Sequence, residues 1–257
     1  MKVARLDGNA SVPTWRIVTK TQVVAARLYP ETVETLADTS ASQQAALLGF
    51  LHEQGFPVPD VAVLGLHDGR PLLAQSWLGE LSLVGALQRF PERTERLGEA
   101  FGKLHARLHE LPTEGFAGVE QLSVPVEKRV ALLHLDYHPL NVLLGGDETL
   151  GVIDWDNARL GDPRADVART LSILSINPDL RGLPREARTA LRLLRRAYLR
   201  GYRERAGTEA LEGLPAFLAW AGDYMLGDLA RRYDGEALGP VRRWTARWVH
   251  LAAASHA

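Results

Sequence analysis

His134-Leu135-Asp136-Tyr137-His138-Pro139-Leu140-Asn141, followed by Ile153-Asp154-Trp155-Asp156, is the stretch that decides how this chain reads. Asp136 and Asn141 stand at the D-x-x-x-x-N spacing of a catalytic loop for phosphoryl transfer. A phosphoryl group in transfer passes through a loose, highly charged transition state. The protein must therefore position the acceptor hydroxyl and hold Mg²⁺, and has little covalent chemistry to do. In that reading Asp136 accepts the hydroxyl proton, Asn141 and Asp154 ligate Mg²⁺, and His134 braces the loop. Gly145-Gly146-Asp147-Glu148 reads as the turn of a short hairpin leading to the second acidic cluster.

Two other readings take up some of the same residues. On a strand, His134, Asp136 and His138 alternate onto one face and form a metal-hydrolase ligand set. Pro139 favours a loop there, and no further His or Glu cluster completes such a site. In the plainest reading the acids are incidental to two buried strands. Asp154, however, ends the apolar run Leu150-Gly151-Val152-Ile153, where a carboxylate is costly without a metal or a partner.

The pattern resembles that of the aminoglycoside phosphotransferase family: H-G-D-x-H-x-x-N, then I-D-W or I-D-F, then G-D-P-x-x-D. Here the third motif is Gly161-Asp162-Pro163-Arg164-Ala165-Asp166, and Leu135 stands in place of the usual glycine. The resemblance implies an α+β, protein-kinase-like two-lobed fold. Residues 1–76 would form a small five-stranded antiparallel lobe and 77–257 a mainly helical one. It implies Mg²⁺-dependent transfer of the γ-phosphate of ATP or GTP to a hydroxyl of a small molecule, with an aminoglycoside-type antibiotic leading the acceptor classes. A metabolic kinase for an amino alcohol or sugar, and a nucleotide-binding pseudokinase without turnover, stand as alternatives. The resemblance also places Asp166 on the next helix, hydrogen-bonded to the catalytic loop. Its plain reading is a first-turn carboxylate favoured by the helix dipole.

Upstream, Trp15–Thr19 and Gln22–Tyr29 read as strands joined by a two-residue turn. The preceding stretch Asp7–Pro13 occupies the place of a nucleotide-covering loop, with Gly8, Asn9 and Ser11 at the family's positions. Arg27 stands where the family has a strand lysine or arginine that reaches the nucleotide phosphates; the alternative is a solvent-facing strand arginine. Ala41–Leu51 is a helix with Leu47, Leu48 and Leu51 as its apolar stripe, ended by Gly55-Phe56-Pro57. Counting back from that stop, the family's glutamate partner of the strand cation falls on Gln44. A glutamine can hydrogen-bond Arg27 but not neutralise it, so a weaker anchor is expected. Val61–Gly65 and Leu72–Gln75 read as further strands. Gln75-Ser76-Trp77-Leu78-Gly79 resembles the hinge whose backbone reads adenine, with Trp77 either flanking the purine or packed between lobes.

Further along, Glu95–Leu111 is a helix. Its His105 and His109 read as helix-surface or interface residues, because no third zinc ligand accompanies them. Past residue 183 the chain is rich in arginine on the wet face of a helix whose buried stripe is Ala187, Leu191, Leu194 and Tyr198. Family members that take polycationic acceptors supply carboxylates from C-terminal helices. The candidates here are Glu209, Glu212, Asp223, Asp228 and Asp234, of which Asp223 and Asp228, beside Trp220 and Tyr224, are the best placed. Trp244 and Trp248 read as core.

Composition sets the outer bounds. The 257 residues are 46% hydrophobic and 24% charged, ordinary globular values, with a net charge of −1. That balance gives no steering towards nucleic acid or an anionic membrane, and the expected partner is a small-molecule hydroxyl acceptor. With no cysteine, thiolate chemistry and Cys-ligated metals are excluded. The first residues lack the apolar region of a signal peptide, so a cytoplasmic enzyme, monomer or homodimer, is expected.

Overall fold

The computed structural model describes residues 1–6, 12–114, 119–124, 129–146 and 148–254. Its strands and helices begin β1 (Lys2–Arg5), β2 (Thr14–Val18), β3 (Val23–Leu28), α1 (Ser40–Glu53), β4 (Val61–His67) and β5 (Arg70–Ser76). They continue β6 (Leu81–Ser82), α2 (Leu83–Arg89), α3 (Thr94–His109), β7 (Ala131–Leu133), β8 (Val142–Leu144), β9 (Leu150–Val152) and β10 (Arg159–Gly161). Four helices close the chain: α4 (Pro163–Ile176), α5 (Arg185–Ala206), α6 (Leu214–Leu229) and α7 (Gly239–Ala254). Among the described residues no helix is long and apolar enough to cross a membrane.

The chain forms two compact units, and Leu143–Asp156 belongs with Met1–Leu81 in the first. That unit is built on an antiparallel five-stranded sheet of order β1-β2-β3-β5-β4. Four of its strands were legible as apolar runs; the fifth, β1, is short, basic and exposed along its length. The β2–β3 turn is closed by Thr19, whose hydroxyl accepts from the amides of Thr21 and Gln22. Alternation along β3 sends Val24 and Ala26 to a cluster with Ala74. Tyr29, just past the strand, packs with Leu73, Val12 and Ala41 of α1. Helix α1 starts where Thr39 accepts from the Ser42 amide. Its stripe Leu47, Leu48 and Leu51 is buried as expected.

In the second unit α3 and α5 lie at unusually close range. A Cβ added at Gly102 would sit 2.0 Å from the Tyr198 carbonyl oxygen, and one at Gly201 would sit 2.1 Å from that of Glu99. The two glycines let the helix backbones touch, and this approach carries the inner face of α3 into the core. Leu194 and Tyr198 of α5 are buried, but Ala187 and Leu191, nearer its start, are only half-buried. Trp244 and Trp248 also correct the sequence reading: both are half-buried rather than core. They pack edge-on at 5.5 Å, and Trp244 donates to the Leu218 carbonyl of α6. Helix α7 lays one face on α6, and its tryptophans keep part of their surface in solvent.

Candidate active site

The chemistry-bearing side chains fall into two groups, one in each unit. In the second unit the buried strand β7 delivers the chain to His134, which is itself fully buried. Leu135 follows with φ +59°, the left-handed region where glycine is at ease and a leucine is strained by ~1–3 kcal/mol. The family's glycine at this place has a backbone reason, and here the strain is offset by a leucine side chain that is 98% buried (2% exposed).

The loop is held from below by Asp166, in the first turn of α4, as the resemblance implied. Its two carboxylate oxygens accept from the amides of His134 at 2.6 Å and Leu135 at 2.8 Å. Helix α4 is aimed by its N-cap: the Asp162 side chain accepts from the Arg164 amide and pairs with the Arg164 guanidinium at 2.6 Å. From the next turn Thr170 donates to the Tyr137 carbonyl. Tyr137 is stacked between Phe101 and His105, with centroids 4.5 and 4.0 Å away, and donates to the Phe101 carbonyl. His134, Leu135 and Tyr137 are thus each pinned by a buried neighbour.

Asp136 keeps about a quarter of its side chain, 27%, open to solvent. Asn141 Nδ2 donates to the Asp136 carbonyl at 3.0 Å and to its carboxylate at 3.1 Å, and His138 Nε2 lies 3.5 Å from the same carboxylate oxygen. Burial pushes the Asp136 pKa up, but His138, His134 and Arg169 together outweigh it and hold the carboxyl below its usual range. Asp136 is therefore ionised at neutral pH and a weak base, suited to orienting a hydroxyl more than to stripping it. Asn141 has committed its amide nitrogen, and its carbonyl oxygen remains as the kind of hard donor that Mg²⁺ takes.

His105 and His109 are a correction to the sequence reading. They are 0% and 1% exposed, not surface residues. Their Nδ1 atoms each meet a tyrosine hydroxyl at 2.8 Å, Tyr198 and Tyr202, and their Nε2 atoms lie 3.0 and 3.2 Å from Asp166 Oδ2. The His105 contact lies outside hydrogen-bonding geometry and is electrostatic. Asp166 is the third group that sequence spacing did not reveal, and the three ligand atoms lie within 4.8 Å of one another. Because Asp166 already accepts both loop amides, the cluster reads as the brace of the catalytic loop. What fixed the error is the α3–α5 approach at Gly102, which turns the histidine face inward.

This brace predicts a pH dependence of stability. Burial pushes His105 down to about 4 against the pull of Asp166. Asp166 sits well below the carboxylate range, since His105 and His109 outweigh its burial. Both groups bind protons later in the folded protein than in the unfolded chain. The His105 contribution is therefore complete above its unfolded pKa of ~6.5 and is lost as pH falls towards about 4. The Asp166 contribution is lost below ~3.9. Urea unfolding should show stability falling between pH 6.5 and 4 with a slope of up to ~1.4 kcal/mol per pH unit from His105. His105→Gln should flatten that limb, and an unchanged slope in the variant would contradict the assignment.

In the first unit Arg27 is 4% exposed, which rules out the solvent-facing alternative. Its Nη1 and Nη2 donate to Asp156 Oδ1 at 3.0 Å and Oδ2 at 2.5 Å. Burial works against the charge, but the bonds to Asp156 and its charge outweigh it and raise the Arg27 pKa. Gln44 is also buried, and among the described residues it makes no hydrogen bond with Arg27. Asp154, two residues before Asp156, is half-buried on left-handed backbone, φ +66°. Gln75 lies within β5, paired on both sides, and the Trp77 amide donates to the Val23 carbonyl while Arg16 stacks over its ring at 5.2 Å. Gly8, Asn9 and Ser11 lie outside the described residues.

Of the acceptor candidates, Asp228 pairs with Arg169 at 2.6 Å and Asp223 is exposed. Burial, and the charge of Asp136, raise the Asp228 pKa, with Arg169 opposing. Arg169 also stacks over Tyr224 at 4.8 Å. Arg169 and Asp156 are the two residues that sequence reasoning passed over. Only the acidic +2 position after Asp154 could have signalled the second.

A sequence model described as the phosphotransferase enzyme family matches residues 2–131 and 119–214. No curated protein matches the sequence. Among solved structures, the chain is similar to an aminoglycoside-3'-phosphotransferase of type VIII at 19% identity, over 96% of this chain and 93% of that one, with a TM-score of 0.56. It is similar to aminoglycoside phosphotransferase APH(3'')-Id from Streptomyces rimosus at 15% identity, over 84% and 92%, with a TM-score of 0.55. That protein has also been solved in complex with ADP and streptomycin. An aminoglycoside phosphotransferase from Alicyclobacillus acidocaldarius matches at 12% identity, over 98% and 89%, with a TM-score of 0.57. At these identities the likeness establishes the fold, which is the α+β kinase-like one expected.

Proposed function

The chain belongs to the phosphotransferase enzyme family, and from that premise we propose that it moves the γ-phosphate of ATP or GTP to a hydroxyl of an aminoglycoside-type small molecule. The observation that carries the reading is Asp136, ionised, fixed by Asn141 and mounted on a loop whose amides end on buried Asp166. Asp136 orients the acceptor hydroxyl and takes its proton as the hydroxyl oxygen bonds to the γ-phosphorus and the bond to the β-phosphate oxygen breaks, releasing the nucleoside diphosphate. Asn141 and Asp154 each present an oxygen donor of the kind Mg²⁺ takes, the role the resemblance implies for both, and the ion would neutralise phosphate charge. Arg27, a buried cation with guanidinium hydrogens beyond the two given to Asp156, suits phosphate oxygens. Support for nucleotide as donor comes from the ADP complex of the Streptomyces rimosus relative.

One observation favours the second reading, a metabolic kinase for an amino alcohol or sugar. Asp228, the best-placed acid for a polycation, is already paired with Arg169, which leaves less negative field for a highly charged acceptor. The pseudokinase reading has against it the retained Asp136, Asn141 and Asp154. Measuring nucleotide consumption against a panel of aminoglycosides, macrolides, amino alcohols and sugars separates the three. Acceptor-dependent turnover with an aminoglycoside is the expected result. Turnover only with the small neutral or singly charged acceptors selects the second reading, and nucleotide binding without turnover on any member selects the third.

A further inference from the structure

We propose that Asp156 is the positioning carboxylate of Arg27, taking the part that α1 leaves open by carrying Gln44. The inference rests on the phosphotransferase reading, in which Arg27 meets nucleotide phosphates. Two parallel bonds, 3.0 and 2.5 Å, join guanidinium to carboxylate and so fix the plane of the arginine as well as its place. They use two of its five N–H groups and leave three to meet phosphate oxygens. The Tyr29 ring lies 5.6 Å from the guanidinium carbon and closes another side.

Asp156 is itself held. Trp155, 2% exposed, donates to the Val152 carbonyl and meets Phe56 edge-on at 5.9 Å, which pins the middle of the Asp154–Asp156 turn. The Arg27–Asp156 pair therefore ties β3 to the same turn that carries Asp154. Phosphate-binding cation and Mg²⁺ ligand are set by one contact, made between residues 129 apart in sequence. A helix glutamate would anchor the cation without touching that turn. Asp156 retains 29% of its side chain in solvent, whereas Arg27 retains 5%, so the carboxylate is the half of the pair from which solvent can be displaced.

The test is calorimetric titration of the full chain with a non-hydrolysable ATP analogue and Mg²⁺, for wild type, Asp156→Asn, Asp156→Glu, Arg27→Gln and the Arg27→Gln/Asp156→Asn double variant. Asp156→Asn should weaken the analogue by ~10-fold or more, with the acceptor KM of the enzyme nearly unchanged. Asp156→Glu, which keeps the charge, should recover most of the loss. In the Arg27→Gln background, removing Asp156 should weaken binding no further, because its effect runs through the arginine. The double variant carries neither charge of the pair, so its comparison with Arg27→Gln survives even if Asp156→Asn alone does not fold. Affinity unchanged in Asp156→Asn, with only a lower Tm, would reduce the pair to a structural one and overturn the proposal. Tighter binding, or losses that add in the double variant, would overturn it as well. A wild-type chain that binds no analogue brings down the phosphotransferase reading itself, and does so before any variant is compared.

Discussion

Replacing Asp136 with Ala should lower kcat by ~10²–10⁴-fold while leaving the fold and nucleotide affinity nearly unchanged. The separation of effects follows from the contacts. Asn141 donates to both the Asp136 carbonyl and its carboxylate, so the truncation leaves it one of these two partners, the carbonyl at 3.0 Å. The loop amides end on Asp166, not on Asp136, and stay satisfied. What is lost, under the proposed function, is the group that orients the acceptor hydroxyl. Asp136→Asn sharpens the test, because it preserves shape and removes only the proton acceptor. Its kcat should fall within the same range. Steady-state kinetics at saturating substrates decide the matter: turnover within a few-fold of wild type in either variant would remove Asp136 from the chemistry.

The second large effect is on stability. Asp166→Ala should destabilise the protein by ~3–5 kcal/mol, the usual consequence of removing one partner from a buried charged cluster. In a chain of this size that corresponds to a Tm lower by roughly 6–20 °C. The magnitude comes from what is orphaned at once. The amides of His134 and Leu135 lose their acceptor in a fully buried site, and His105 and His109 lose the carboxylate both face. Asp166→Asn should fall between, since one oxygen survives while the amide NH₂ meets a donor. A calorimetric scan showing Asp166→Ala within 2 °C of wild type, against the roughly 6 °C minimum expected, would mean that the loop is held elsewhere.

These two residues mark how far the sequence could be read. Asp136, Asn141 and Asp154 could be singled out because the proposed phosphoryl transfer asks for those residue types at a local spacing, and the strands around them are short apolar runs. Asp166 was legible only through the resemblance, since its bonds reach back to residues 31 and 32 positions away. The histidine pair was misread for a related reason. Spacing of i and i+4 puts two side chains on one helix face, but it does not say which way that face turns. The direction is set by Gly102 and Gly201, whose lack of side chains lets α5 close on α3. Arg27 offers the same lesson. Its position on β3 was clear, whereas its carboxylate partner comes from 129 residues downstream, and counting from the end of α1 led to Gln44 instead. The strain at Leu135 is likewise invisible in a sequence, because only backbone geometry shows why glycine is usual there.

Under the proposed function the Asp136 loop passes a γ-phosphate to a hydroxyl. Mass spectrometry of the acceptor after incubation with enzyme, Mg²⁺ and ATP, for wild type and Asp136→Ala side by side, tests it most directly. Wild type should yield an acceptor carrying one added phosphate, and the variant none above background. An acceptor modified by a nucleotidyl group, or equal phosphorylation by both proteins, would contradict it.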